Sequence, residues 1–252
     1  MESLEHIRIV VVEPAGALNV GSIARAMKNM GLSQLVLVNP RCDHLGEEAR
    51  LMAVHAADLL EKARVVETLA AGLKGCKKAI ATTGLLRDLP LKVETPKEAL
   101  PWVLADATPS AIIFGRENHG LSNVELNHAQ RLVCIPTAAA YTSLNLAQAI
   151  AVCCYELRSL SQNEIINQPT QLPQDLADLD ALEGYYQNLE NLLLKIGYLQ
   201  PHTAEARMTK FRSLYNRTNL SSAETAMLRG ILRQMNWAIA NADQLIEPDR
   251  PV

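Results

Sequence analysis

"SAIIFGRENHGLS", residues 110–122, changes character within a few positions. Ser110–Phe114 is an unbroken apolar run. It meets Gly115, then the charged pair Arg116–Glu117, and a second pivot follows at Gly120. Continuous apolar strands, unlike alternating ones, imply burial on both faces and hence a parallel sheet. A buried strand has no structural need to finish on two opposite charges and a backbone pivot. The loop therefore marks a switch from packing to polar chemistry.

The same pattern recurs outward from this stretch. "IRIVVVE" (7–13), "LVLVNP" (35–40), "RVVE" (64–67), "KKAIATTG" (77–84) and "RLVCIPT" (131–137) read as further strands. Helical patterns alternate with them: 19–31, with Gly31 as terminator, a long stretch 47–63, a brief helix after residue 67, and 143–160. The expected architecture is an α/β domain over residues 1–160, a mostly parallel sheet with helices on both sides.

A composition break follows. Residues 161–174, "SQNEIINQPTQLPQ", are polar and carry two prolines, which reads as a linker. Residues 175–252 read as a small all-helical extension, with helices over 175–199 and 205–219 and a third opened by the capping box Ser221–Glu224. Its apolar faces need each other or a partner subunit. Charge is uneven here: Asp175–Glu205 holds six acidic residues and one lysine, whereas Arg207–Arg233 holds six basic residues and one glutamate. Phe211 and Tyr215 sit between those cations, a pattern suited to stacked bases and phosphates. A solvated helix face produces the same run.

The 252 residues, 48% hydrophobic and 20% charged, allow a sizeable core and argue against wholesale disorder. A net charge of -3 gives no global signal for nucleic acid, so any RNA surface is a local patch. The five cysteines (Cys42, Cys76, Cys134, Cys153, Cys154) include no CxxC, and Cys153 and Cys154 fall in an apolar run as small hydrophobes. No disulfide framework or metal site is expected, which fits a reducing cytoplasm. "MESLEHIRIVVVE" reads as neither a signal peptide nor a membrane span. The six histidines are scattered, and His119, inside the Gly115–Gly120 loop, reads as loop filling.

Neither G-x-G-x-x-G nor G-x-x-x-x-G-K-[ST] is present. Polar and glycine-rich loops cluster instead after the later strands, at "ATTGLLR", "FGRENHGLS" and "IPTAAAYTSLN". Ligands of open α/β sheets bind beyond the carboxyl ends of strands, so these loops are candidates for one shared pocket. Each alone is also an ordinary turn.

Taken together, "NVGSIARAM", "IIFGRENHGLS" and "IPTAAAYTSLNLAQAIA" resemble, in order and spacing, the three motifs of the SPOUT class of RNA methyltransferases. With a helical extension of this size the chain looks like the TrmJ family, whose members methylate the ribose 2′-hydroxyl of nucleotide 32 in the tRNA anticodon loop. The resemblance implies a SPOUT-type parallel sheet with a C-terminal trefoil knot, threaded by the helix around 143–160. It also implies a homodimer with S-adenosyl-L-methionine bound at the knot. Mapped onto this sequence, the cofactor contacts are Thr82, Thr83, Gly84, Gly115, Ile135, Thr142, Ser143 and Leu144.

The catalytic positions that the resemblance implies are Arg25, Ser143 and Asn145. A free guanidinium is a poor base, so Arg25 is expected to hold the neighbouring phosphate or the developing alkoxide. Bracing a dimer is the other role open to it. Asn19 is a candidate N-cap of the first helix or a substrate contact, and Ser143 a candidate N-cap of the last. Arg87, Arg116, Glu117, Lys210 and Arg212 are the further RNA contacts expected, with the helical extension helping to bind tRNA. Leu85 stands where related sequences often carry a basic residue, so backbone recognition in that loop differs in detail. A ribosomal-RNA methyltransferase of the same class and a catalytically idle RNA-binding protein are the rival readings.

Overall fold

The computed structural model describes residues 4–84, 92–162 and 175–241, and the chain divides into two compact units, Met1–Leu172 and Pro173–Val252. In the first unit the strands are β1 (Ile7–Val12), β2 (Gln34–Val38), β3 (Arg64–Val66), β4 (Lys78–Thr82), β5 (Val93–Glu94), β6 (Ser110–Phe114) and β7 (Arg131–Val133). Among the described residues they form one seven-stranded sheet, ordered β3-β2-β1-β6-β4-β7-β5, and every pairing is parallel. The helices are α1 (Ala17–Met30), α2 (Glu47–Ala53), α3 (Ala57–Glu61), α4 (Leu69–Leu73), α5 (Pro96–Ala99), α6 (Pro101–Leu104), α7 (Asn123–Leu126) and α8 (Leu146–Gln162).

Side chains of β1 alternate between two cores, as the period of a strand requires. Ile7, Ile9 and Val11 pack with Val20, Ile23 and Met27 of α1 and with Ile150, Cys153 and Leu157 of α8. On the opposite face α4 lies close, so that a Cβ added to Gly72 would stand 3.3 Å from Val38 and 3.5 Å from Val10. Burial pushes the Cys153 thiol up to about 12, which leaves it a packing group. α1 stops at Gly31, whose φ of 79° closes the helix in the left-handed conformation.

The expected helix over 47–63 is interrupted. Val54 takes a φ of 53°, and a 3-10 turn, Val54–Ala56, separates α2 from α3. Lys28 of α1 satisfies the break: its ammonium donates to the His55 carbonyl at 2.8 Å and pairs with Asp58 at 2.6 Å. A contact from another element thus overrides the local period. The two-residue edge strand β5 and the single-turn helices α5, α6 and α7 are too short to leave a periodic trace.

At the amino end of the sheet Lys78 is completely buried. Its ammonium donates to the Trp102 carbonyl at 2.9 Å and to both oxygens of Asp106 at 3.0 Å. Burial lowers the lysine's pKa, and Asp106 opposes that fall.

The second unit holds α9 (Leu179–Lys195), α10 (Ala204–Asn216) and α11 (Ser222–Ala240). Leu182, Tyr185, Tyr186, Leu189 and Leu192 of α9 form its core with Met208 and Leu232. The Ser221–Glu224 capping box opens α11 as expected. Most of the expected linker, residues 163–174, lies outside the described residues.

Candidate active site

β6, β4 and β7 are neighbours, and their carboxyl ends open into one cavity of about 430 Å³. Thr82, Thr83 and Gly84 line it after β4, Gly115 after β6, Ile135 after β7, and Thr142, Ser143 and Leu144 on the loop entering α8. All eight positions expected to touch the cofactor therefore face one space. The sequence did not single out Asn118, Leu121, Val133, Leu146 and Ala149, which also line the wall. Their signal was position on the same loops. His119, expected as loop filling, also borders the cavity and is exposed.

The loop after β6 holds itself in shape. A Cβ on Gly115 would fall 2.1 Å from the Gly120 carbonyl carbon and 2.3 Å from the Leu121 nitrogen. Glycine is thus required there by the loop's own return. Arg116 and Gly120 exchange backbone hydrogen bonds at 3.2 and 3.0 Å, and Gly120 takes a φ of 64°. Ser122 and Glu125 form a capping box that opens α7.

Arg116 and Glu117 both border the cavity, and the Arg116 guanidinium is at the same time committed within the chain. It donates two bonds to Glu125, both at 2.9 Å, and one to Glu13 at 3.1 Å. Glu125, and then Glu13, raise the guanidinium's pKa further. Glu13 is lowered chiefly by Arg116. Burial works to raise Glu125, but Arg116 and the Ser122 amide outweigh it and the carboxyl is lowered.

Glu117 is likewise occupied within the chain. Its carboxylate accepts from the Ala15 nitrogen at 3.1 Å, the Gly16 nitrogen at 3.1 Å and the Asn19 Nδ2 at 3.1 Å. Burial would raise its pKa, yet these donors and its own amide lower it. The residue is an anion seated at the start of α1, where the helix field favours negative charge. Asn19 is consequently not the N-cap: Gly16 is, without a side-chain bond, and Asn19 falls inside the first turn. Its Oδ1 accepts from Asn145 Nδ2 at 3.0 Å. Asn145, rather than Ser143, caps α8, since its Oδ1 accepts from the Ala147 nitrogen at 2.9 Å and the Gln148 nitrogen at 3.3 Å. Glu117, Asn19 and Asn145 thus tie three distant segments beside the cavity. Ser143 stays exposed on its wall.

Arg25 is exposed on α1 and does not line the cavity. Arg87 lies outside the described residues. Lys210 is exposed on α10, whereas Arg212 is paired within the second unit. It donates to Glu183 at 2.6 and 2.9 Å, both side chains are 17% exposed, and the guanidinium lies 4.5 Å from the centre of the Tyr186 ring. The acid-to-base asymmetry of the second unit is thus partly an internal ion pair. Among the described residues no cluster of three His, Cys, Asp or Glu gathers for a metal, and no helix is long and apolar enough to cross a membrane.

A parallel sheet with a loop-built cavity at β6, β4 and β7 defines a class, that of the SpoU methylases. The model of the SpoU rRNA Methylase family matches residues 6–155, and that of the tRNA methyltransferase TrmJ C-terminal domain matches residues 180–245. The chain belongs to the TrmJ family of methyltransferases within that class. It is 39% identical to the tRNA (cytidine/uridine/adenosine-2′-O-)-methyltransferase TrmJ of Pseudomonas aeruginosa, over 92% of this chain and 94% of that one. The tRNA (cytidine/uridine-2′-O-)-methyltransferase TrmJ of Pectobacterium atrosepticum is 38% identical, over 91% and 96%. The crystal structure of TrmJ from Z. mobilis ZM4 superposes with a TM-score of 0.81 at 31% identity, covering 91% of this chain and 98% of that one.

Proposed function

We propose that the protein transfers a methyl group from S-adenosyl-L-methionine to the ribose 2′-hydroxyl of nucleotide 32 in the anticodon loop of tRNA, as a cytoplasmic homodimer. The observation that carries this reading is the convergence of Thr83, Gly115, Ile135 and Ser143 on one cavity. Its volume of about 430 Å³ is in the range of small-molecule sites. Its walls also fit the cofactor's chemistry: Leu144, Ile135 and Val133 offer apolar surface, while Thr83, Thr142 and Ser143 offer polar groups. The trefoil threading of α8 belongs to the same proposal, supported by the place of residues 142–144 on the cavity wall.

The cofactor's sulfonium supplies an activated methyl group and departs as a neutral thioether. The residues of this chain have to place the ribose oxygen in line and draw off its proton. Orientation alone supplies a large share of such a rate. Asn19 and Asn145, fixed by Glu117, hold the cavity's edge rigid. Arg25 stabilises the developing alkoxide or its adjacent phosphate, lowering the hydroxyl's pKa electrostatically. Because Arg25 is exposed and away from the cavity of its own chain, the dimer is the element that brings it to the site of the second copy.

The test is methyl transfer from labelled S-adenosyl-L-methionine to an unmodified tRNA transcript, followed by nucleoside mapping. A 2′-O-methylated residue at position 32 is expected. Label on ribosomal RNA alone, or none on either RNA, overturns the proposal.

A further inference from the structure

The second unit carries a groove that none of the expected contact residues lines. It lies between α9 and α11, encloses about 520 Å³ and is bordered by Asn188 of α9 and by Arg229, Gly230, Arg233 and Asn236 of α11. From Ala226 to Asn241 the sequence holds two arginines and no acidic residue. Arg229 and Arg233 stand one helical turn apart, so both guanidinium groups serve one face. Both are exposed, and among the described residues neither meets a carboxylate. The contrast with Arg212, locked on Glu183, is direct: among the described residues the unit neutralises that arginine internally and sets no carboxylate against these two.

Gly230 points the same way. Glycine in a helix interior is unfavourable relative to alanine, yet a Cβ at Gly230 would meet nothing within 4 Å. No described neighbour needs the side chain to be missing. Gly230 itself borders the groove, so its missing side chain leaves bare backbone there beside the two arginines. The Asn188 and Asn236 amides offer donors and acceptors on either side. One turn beyond Arg233, the half-exposed Trp237 presents a ring on which a base can stack.

We infer that the α9–α11 groove is an RNA-backbone site, with Arg229 and Arg233 on phosphates, the asparagines on sugar or base edges, and Trp237 under an unpaired base. This rests on the proposal that the substrate is a tRNA and names where the helical unit grips it.

The experiment uses the full chain and an unmodified tRNA transcript, with binding measured across a range of salt. Replacing both cations (R229A with R233A) is expected to weaken binding by about tenfold or more, and to reduce the slope of log K against log salt by about 1–2. In turnover the loss falls on KM for tRNA. Gly230→Gln, which adds a long neutral side chain, is expected to weaken binding severalfold with no loss of thermal stability. Wild-type affinity and salt slope in both variants overturn the site, provided the parent methylates tRNA. A parent chain that neither binds nor methylates tRNA overturns the proposed function and this site with it. A parent that binds tRNA without methylating it overturns the catalytic reading alone, and the same variants still decide the groove.

Discussion

The loop after β6 and the loop after β7 stand at the same edge of the sheet, and both looked polar enough to be functional. They use their polarity differently. Between Gly115 and Ser122 the charged groups are committed inside the chain: Arg116 to Glu13 and Glu125, Glu117 to the start of α1. Between Pro136 and Asn145 every residue is exposed, Tyr141 by 78%, and among the described residues only Asn145 ties a side chain to another element. In these two loops the partnered polar groups shape the cavity, and the exposed ones are open to something outside the chain.

The largest effect that would test this division is at Arg25, which is exposed and meets no carboxylate among the described residues. Arg25→Ala is expected to lower kcat about 10³-fold, equivalent to about 4 kcal/mol of barrier, with an unchanged melting temperature. Single-turnover kinetics beside a thermal melt would show it, and near-normal turnover would break the division. Next comes Arg116→Ala, which strips the counter-charge from two half-buried carboxylates. It should destabilise the first unit by on the order of 3 kcal/mol, measured by chemical denaturation. Lost turnover at full stability would instead make Arg116 a substrate contact after all.

A smaller effect is expected from acid. Glu13, Glu117 and Glu125 have lowered pKa values in the folded chain, whereas an unfolded glutamate titrates near ~4.3. Their stabilisation is therefore complete above that value and is lost as pH falls through the lower folded values. Glu117→Gln should cost about 1 kcal/mol at neutral pH and flatten that part of the acid limb. An unaltered pH profile would mean that the carboxylate's charge is not what holds α1. Smallest of all is Thr142→Ala on the open loop. Stability should stay within about 0.5 kcal/mol, while calorimetric titration shows a severalfold loss of affinity for S-adenosyl-L-methionine. A destabilised variant would show that the open loop, too, is structural.

What the sequence made legible was whatever is encoded locally. The apolar run of β1, the Gly31 stop after α1 and the Ser221–Glu224 cap are each written within a few neighbouring residues. So are the polar loop ends that line the cavity. What it hid was partner choice across distance. Glu13 reaches Arg116 from 103 positions away, and Asn19 reaches Glu117 from 98. No local pattern announces such a pairing, which is why the sequence offered Arg116, Glu117 and Arg212 as RNA contacts without showing the partners they hold inside the chain. The buried Lys78 was invisible for the same reason, since a lysine opening a strand looks like solvent until Asp106 and Trp102 close over it.

The tie from Glu117 through Asn19 to Asn145 carries a consequence for how the chain matures. A protein is made from its amino end, so α1 leaves the ribosome long before either of its two supports has been translated. Its leading amides wait for a carboxylate from the middle of the domain, and Asn19 then waits for an amide from the loop entering α8. A nascent chain halted before Asn145 would hold all seven strands of the sheet while the cavity's edge was still unfinished.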